Sequence, residues 1–247
     1  MDRPHSDLAP QPDSRSSTDA GEPLYGPLLA APTAPDGCFL IGRAAQSLDG
    51  YIATRDGESS WISGPEDRTH THRLRALCDA VVVGSATVRA DDPLLTTRMV
   101  TGANPVRVVL DTDRRLSSHY RVFKSGPTTL VFCAPDAPGD ARVGCAEAVR
   151  VRRGSTGLDL EAIIETLARL GLRRILIEGG GITVARFLKA GALDRMHVTV
   201  APLLMGGGVP AFALAPVNRL SDGPRFSWTA HSMGADILLD IPLTRRI

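Results

Sequence analysis

The stretch Ile175-Leu176-Ile177-Glu178-Gly179-Gly180-Gly181-Ile182-Thr183 decides the reading of the fold. Three branched apolar residues, one carboxylate, three glycines and then a Thr-led amphipathic run (Val184-Ala185-Arg186-Phe187-Leu188) predict a buried strand, a tight turn and the start of a helix. Glycine lets the backbone come close to a ligand, and the unpaired N–H groups at a helix N-terminus, with the dipole behind them, favour an anion. Glu178, at the carboxyl end of the strand, falls in the crevice where open α/β sheets bind ligands. Tight packing alone produces the same pattern, so both readings stand at this point. The stretch is not a P-loop, because no Lys-Ser/Thr follows the glycines, and Val184 stands where a Rossmann fingerprint needs its third glycine.

Upstream, Leu160, Ile163, Ile164, Leu167 and Leu170 fall on one helical face, with Asp159 placed to cap the helix and Gly171 to end it. Further back, residues 80–84 are a fully apolar run of the kind buried on both faces of a parallel sheet, and residues 107–111 and 129–132 read as further strands. Residues 64–77 read as a helix with Glu66 and Asp67 well placed for its dipole, and residues 85–88 as a short helix stopped by Ala90-Asp91-Asp92-Pro93. The strand beginning at Cys38 ends in an Asp-Gly turn at Asp49-Gly50. Downstream, residues 196–200 and 235–241 read as late strands, separated by Met205-Gly206-Gly207-Gly208 and an irregular Pro-rich stretch. Strands alternate with helices and then dominate. The expected architecture is a three-layer α/β/α fold whose mostly parallel central sheet ends in an antiparallel hairpin. Residues 1–36, rich in Pro, Ser, Asp and Ala, read as a poorly ordered extension with a short packed piece at Leu24-Tyr25 and Leu28-Leu29, leaving residues 37–247 as the domain.

The 247 residues carry 28 basic and 27 acidic side chains, a net charge of +1, so no global field recruits nucleic acid or a membrane surface and an anionic ligand must be held by local arginines. Four cysteines without C-x-x-C or metal-like spacing indicate buried thiols and a reducing compartment, and no apolar run suits a membrane span. A cytoplasmic protein is expected. His70 and His72 lie two apart on a helix and face different sides, and His119, His197 and His231 show no ligand spacing, so no metal is expected.

Ser47-Leu48-Asp49-Gly50, Ser59-x-Trp61-Ile62-Ser63, the run from Gly84-Ser85 through Asp91-Asp92-Pro93 to Arg98, residues 105–112 and Glu178-Gly179-Gly180 occur in the order and at the spacing of one family. They resemble the reductase domain of bacterial riboflavin-biosynthesis proteins, a dihydrofolate-reductase-like fold, over about residues 38–241. The resemblance implies NADPH-dependent reduction of the ribosyl group of 5-amino-6-(5-phosphoribosylamino)uracil, or its diamino-pyrimidinone counterpart, to ribityl. The family's zinc deaminase half has no counterpart, since no H-x-E with a later P-C-x-x-C occurs, so a stand-alone reductase is expected. By the same resemblance Ser59, Arg75, Leu95, Arg98 and Glu178 contact the substrate. Ala45, Trp61, Thr87, Asp91, Thr112 and the run from Gly180 to Arg186, including Gly181, Ile182 and Thr183, contact the cofactor. Asp91 and Glu178 are the candidate catalytic carboxylates, Asp91 managing a proton or developing charge. Arg75 and Arg98 offer forked donors suited to a phosphate.

Arg43 stands where the family usually has Lys, and we carry it over as a substrate contact. The change replaces a compact, titratable amine with a planar fork that stays charged, and with Gln46 it hints at an altered substrate. Blander readings stand beside the sharp ones: Asp91 as a turn carboxylate, Trp61 as core, Arg75 as a dipole partner, and Arg114-Arg115 as an exposed turn rather than a clamp for the 2′-phosphate. Two other functions remain open: a same-fold reductase of another pterin or pyrimidine, and a non-catalytic nucleotide-binding homologue. The apolar late strands favour a homodimer.

Overall fold

The computed structural model describes residues 23–60 and 62–247; residues 1–22, most of the expected extension, and Trp61 lie outside the described residues. The strands are β1 (Phe39–Ser47), β2 (Tyr51–Ala53), β3 (Ala80–Gly84), β4 (Val106–Leu110), β5 (Thr129–Cys133), β6 (Arg142–Val143), β7 (Ala146–Arg150), β8 (Arg153–Gly154), β9 (Gly157–Leu158), β10 (Arg174–Ile177), β11 (Arg195–Ala201), β12 (Val209–Pro210), β13 (Thr229–Met233) and β14 (Asp236–Pro242). The helices are α1 (Gly26–Leu29), α2 (Pro65–Leu77), α3 (Ser85–Asp91), α4 (Leu160–Arg169) and α5 (Gly181–Lys189). The fold class is α/β, with a mostly parallel sheet, antiparallel strands and flanking helices.

Two compact units share the chain, and each has its own logic. The first holds residues 23–39 and 72–176, with strand order β10-β3-β4-β5-β7-β6. Strands β3, β4, β5 and β7 run parallel, and β6 is antiparallel to β7. Val81, Val82, Val83, Val108, Val109, Val131 and Phe132 are fully buried, which is why these strands read as continuous apolar runs. Helix α4 buries Ile163, Ile164 and Leu167, and Asp159 caps it by accepting from the Ala162 amide at 2.9 Å. Leu24, Tyr25 and Leu28 are buried, and Arg174 Nε donates to the Leu28 carbonyl at 2.6 Å, so the segment around α1 is packed.

The second unit holds residues 40–71 and 177–247, with strand order β13-β14-β11-β1. Strand β11 is parallel to β1 and antiparallel to β14, so the two expected late strands pair antiparallel, and β13 adds a further antiparallel strand on β14. A small ladder joins β2 to β12. Strands β7 and β13 are absent from the sequence expectation. The first carries Glu and Arg, the second is largely exposed, and neither shows the apolar alternation that marks a strand. Helix α5 begins at Gly181, two residues before Thr183.

Candidate active site

In the second unit the glycine turn leaves β10 after Glu178, with Gly179 at φ +105°, a conformation that favours glycine, and Gly180 as N-cap of α5. The first turn of α5 has no side-chain cap and no acidic residue, Thr183 is buried, and Ile182 is 61% exposed. Of the two early readings of the glycines, close packing applies at Gly181. A Cβ on Gly181 would run into the carbonyl oxygens of Pro210 and Ala211, so this glycine serves the chain's own close packing. Arg186 is half-buried, and loss of solvent lowers its basicity.

The Ser-Leu-Asp-Gly motif acts as a fastener. Asp49 accepts from Ser47 Oγ at 2.6 Å and from the amides of Met205 and Gly206 at 3.1 and 2.6 Å, which ties the β1–β2 turn to the glycine loop before β12. The Ser47 hydroxyl, followed by those amides, holds the Asp49 carboxyl below its ordinary value. Ala45 and Arg43 lie on β1, paired in register with Thr199 and His197 of β11.

Around these positions lies a buried polar network that the sequence reading missed. Asp67, fully buried on α2, accepts from Arg43, from the Ser63 hydroxyl and, at 2.6 Å, from Thr199 Oγ1. Next to it, His70 Nε2 meets His197 Nδ1 at 3.1 Å, and Arg195 donates to both oxygens of Asp240. His197 Nε2 stands 3.3 Å from Asp240. Burial would raise the Asp240 carboxyl, but the neighbouring His197 and Arg195 outweigh it and hold the group far below the carboxylate range. His70 and His72 face different sides of α2 and both are buried, one meeting β11 at His197 and the other the backbone of Arg98.

In the first unit, the segment after α3 carries the other candidates. Asp91 ends α3 and is exposed, whereas Asp92 takes the left-handed conformation at φ +38° and accepts from the Arg121 amide at 2.6 Å. The turn role considered for Asp91 therefore belongs to Asp92. Thr87 is buried on α3, and Leu95 is 1% exposed with φ +54°, so its side chain is core. Arg75 is 7% exposed and donates to the Thr96 carbonyl at 3.2 Å; the Arg98 amide donates to His72 Nδ1 at 3.1 Å. Residues 95–98 are thus hooked onto α2, with the Arg98 side chain exposed. Arg107, fully buried on β4, holds the same region from below through the Thr129 hydroxyl and the carbonyls of Leu94, Ser125 and Pro127. Thr112 follows β4, and its carbonyl accepts from Ala134. Arg114 donates to the carbonyls of Asp140 and Arg142, and Arg115 pairs with Asp113. These arginines organise their own turn.

Comparison with known proteins assigns the architecture. The family model of the RibD C-terminal domain matches residues 38–231. The chain belongs to this family. A relative from Methanothermobacter thermautotrophicus, named 2,5-diamino-6-ribosylamino-4(3H)-pyrimidinone 5′-phosphate reductase, is 39% identical over 210 residues, covering 82% of this chain and 96% of that protein. The riboflavin biosynthesis protein RibD of Mycobacterium tuberculosis is 34% identical over 80% of this chain, which spans 52% of that protein. Among solved structures, the deaminase/reductase of Thermotoga maritima superposes with a TM-score of 0.72 at 29% identity, over 83% of this chain and 56% of that one. The mostly parallel sheet with its antiparallel strands and flanking helices is thus the fold of the RibD C-terminal domain family.

Proposed function

We propose that this chain reduces the ribosyl group of a phosphoribosylamino-pyrimidine to ribityl, with NADPH as reductant, in riboflavin biosynthesis. The observation that carries this reading is the match along 96% of an archaeal reductase whose name states that substrate class. That relative favours the 2,5-diamino-pyrimidinone phosphate; the deaminated uracil counterpart, named for the Thermotoga protein, is the second substrate to offer.

The α5 N-terminus supports cofactor binding: its first-turn amides carry no side-chain cap and face no carboxylate on their own helix, which suits a pyrophosphate. Gly180, Gly181, Ile182, Thr183 and Arg186 would hold the cofactor together with Ala45, and the family resemblance assigns Thr87, Asp91 and Thr112 to cofactor binding as well. When bound, reduced nicotinamide supplies a hydride to C1′ of the ring-opened ribosylamine. The chain's own residues then align the substrate and manage protons. Arg98, whose fork is exposed, takes the 5-phosphate, and the family resemblance assigns Ser59 to substrate binding. Arg75 contributes mainly by fixing the segment that bears Arg98, Glu178 receives polar groups of the pyrimidine or ribose, and Asp91 stabilises the developing iminium charge. Four free thiols go with a cytoplasmic location, and no helix among the described residues is long and apolar enough to cross a membrane. A homodimer would cover Leu204, Leu220, Trp228 and Ile237, each more than half exposed in the second unit.

The test is loss of NADPH absorbance with purified protein, offering the diamino and the deaminated phosphoribosylamino-pyrimidines in parallel, with Asp91→Ala as control. Oxidation coupled to a ribityl product establishes the reductase and names its substrate. Cofactor binding without turnover of either compound overturns the proposal. Light scattering of the eluted protein reads the oligomeric state.

A further inference from the structure

Arg43 stands where the family that the sequence resembles usually carries a titratable amine, and the structure shows what receives it. Its Nη2 donates to Asp67, a carboxylate with no exposed surface. The same carboxylate collects the Ser63 hydroxyl from the loop before α2 and the Thr199 hydroxyl from β11, while Thr71 Oγ1 donates to the Asp67 carbonyl at 3.0 Å. Four elements of the second unit therefore meet at one side chain: β1, the loop ending in Ser63, α2 and β11.

The Arg43 Nε–H, by contrast, is buried and has no acceptor among the described residues. A buried donor left without a partner is costly, and such groups call for an explanation. Arg43 is only 13% exposed, so bulk solvent does not supply the acceptor freely. Asp67 thus fixes one end of a planar fork and leaves a second, oriented donor unspent.

We propose that Asp67 is a positioning residue for substrate binding: it holds Arg43 as a fixed, non-titrating cation whose Nε donor receives an oxygen of the pyrimidine substrate. The inference rests on the functional reading above. Since guanidinium does not release its proton in the working range, Arg43 orients and polarises rather than transferring a proton. Asp67 touches neither substrate nor cofactor and acts through Arg43. The Ser63 contact extends its hold to the loop that carries Ser59.

A mutant cycle on the full-length chain tests this: Asp67→Asn, Arg43→Met and the double variant, each assayed for KM toward the pyrimidine phosphate, KM toward NADPH, and kcat. Loss of one charge-assisted hydrogen bond weakens binding about tenfold or more. Asp67→Asn is expected to raise the pyrimidine KM by about that factor while the NADPH KM stays within about twofold, and to add nothing in the Arg43→Met background. Multiplying effects in the double variant, or equal rises in both KM values, overturn the proposal. If Asp67→Asn does not fold, Thr199→Val removes one donor and no charge, and the same preferential rise in pyrimidine KM is expected, smaller in size; an unchanged ratio counts against the proposal. Melting midpoints of the unliganded cycle run alongside: additive shifts show that Asp67 does not hold Arg43. Silence of the wild type with both pyrimidines defeats the functional reading and with it the substrate clause, whereas the melting cycle still decides the anchoring.

Discussion

His70 Nε2 lies 3.1 Å from Nδ1 of His197, with the ring planes tilted by 34° and both rings almost fully buried. One proton serves that contact, so one nitrogen must be bare and the pair resists double protonation. Burial pushes the His197 imidazole down; Asp240 pulls it up, and Arg195 and His231 push it down again. The net effect is downward, which makes the folded state a poorer proton acceptor than the unfolded chain. As pH falls below about 6.5 the unfolded chain takes up a proton that folded His197 refuses, so stability declines on acidification. Asp240, held low, adds stability above about pH 4 that is lost below it. The melting midpoint should fall between pH 7 and 5, and His197→Gln should flatten that slope. An unaltered slope in the variant removes His197 from the explanation.

Arg75 and Arg98 should separate in their consequences. Arg98→Ala removes an exposed fork and is expected to raise the KM for the pyrimidine phosphate tenfold or more, an effect of roughly 1.5–3 kcal/mol, with a smaller fall in melting midpoint than Arg75→Ala. Arg75→Ala also releases the Thr96 carbonyl and opens a buried space, so it should lower the melting midpoint by several degrees, on the order of 1–3 kcal/mol. Steady-state kinetics and calorimetry on the two variants check this, and equal melting shifts would contradict it.

Gly181→Ala places a methyl group against the Pro210 and Ala211 carbonyl oxygens, the latter 2.7 Å away. Backbone cannot give as a side chain can, so a loss of about 1–3 kcal/mol is expected, along with weaker NADPH binding as α5 shifts. Gly26→Ala is the contrast, since nothing lies within 4 Å of the added carbon. Its melting midpoint should stay level or rise slightly. Chemical denaturation and cofactor titration of both variants read the difference.

Arg107 is a fully buried cation whose partners in the structure are a hydroxyl and three carbonyls. Burial lowers its basicity, with the Cys145 thiol acting the other way. Arg107→Met fills most of the volume but strands those carbonyls, at about 1–3 kcal/mol each. Unfolding in urea should show a loss of at least about 3 kcal/mol. Native-like stability would mean that water satisfies the carbonyls and that Arg107 does not organise the segment before Arg98.

Whatever depends on neighbours along the chain was legible in the sequence. The i, i+3, i+4 spacing of Ile163, Ile164 and Leu167, the Asp159 cap, the apolar strands and the glycine turn are all set by residues within one element or its border. Motif order carried the family as well, because spacing is a one-dimensional property. The weak strands β7 and β13 escaped, since their place is decided by the strands they pair with rather than by their own pattern.

Only the tertiary structure decided which polar groups meet. Arg43 and Asp67 are 24 residues apart, Thr199 and Asp67 132, His70 and His197 127. Nothing in the composition of either partner encodes the other. The register of β1 against β11 and the packing of α2 bring them together, and burial then makes each contact obligatory, because a polar group removed from water must find its partner inside the protein.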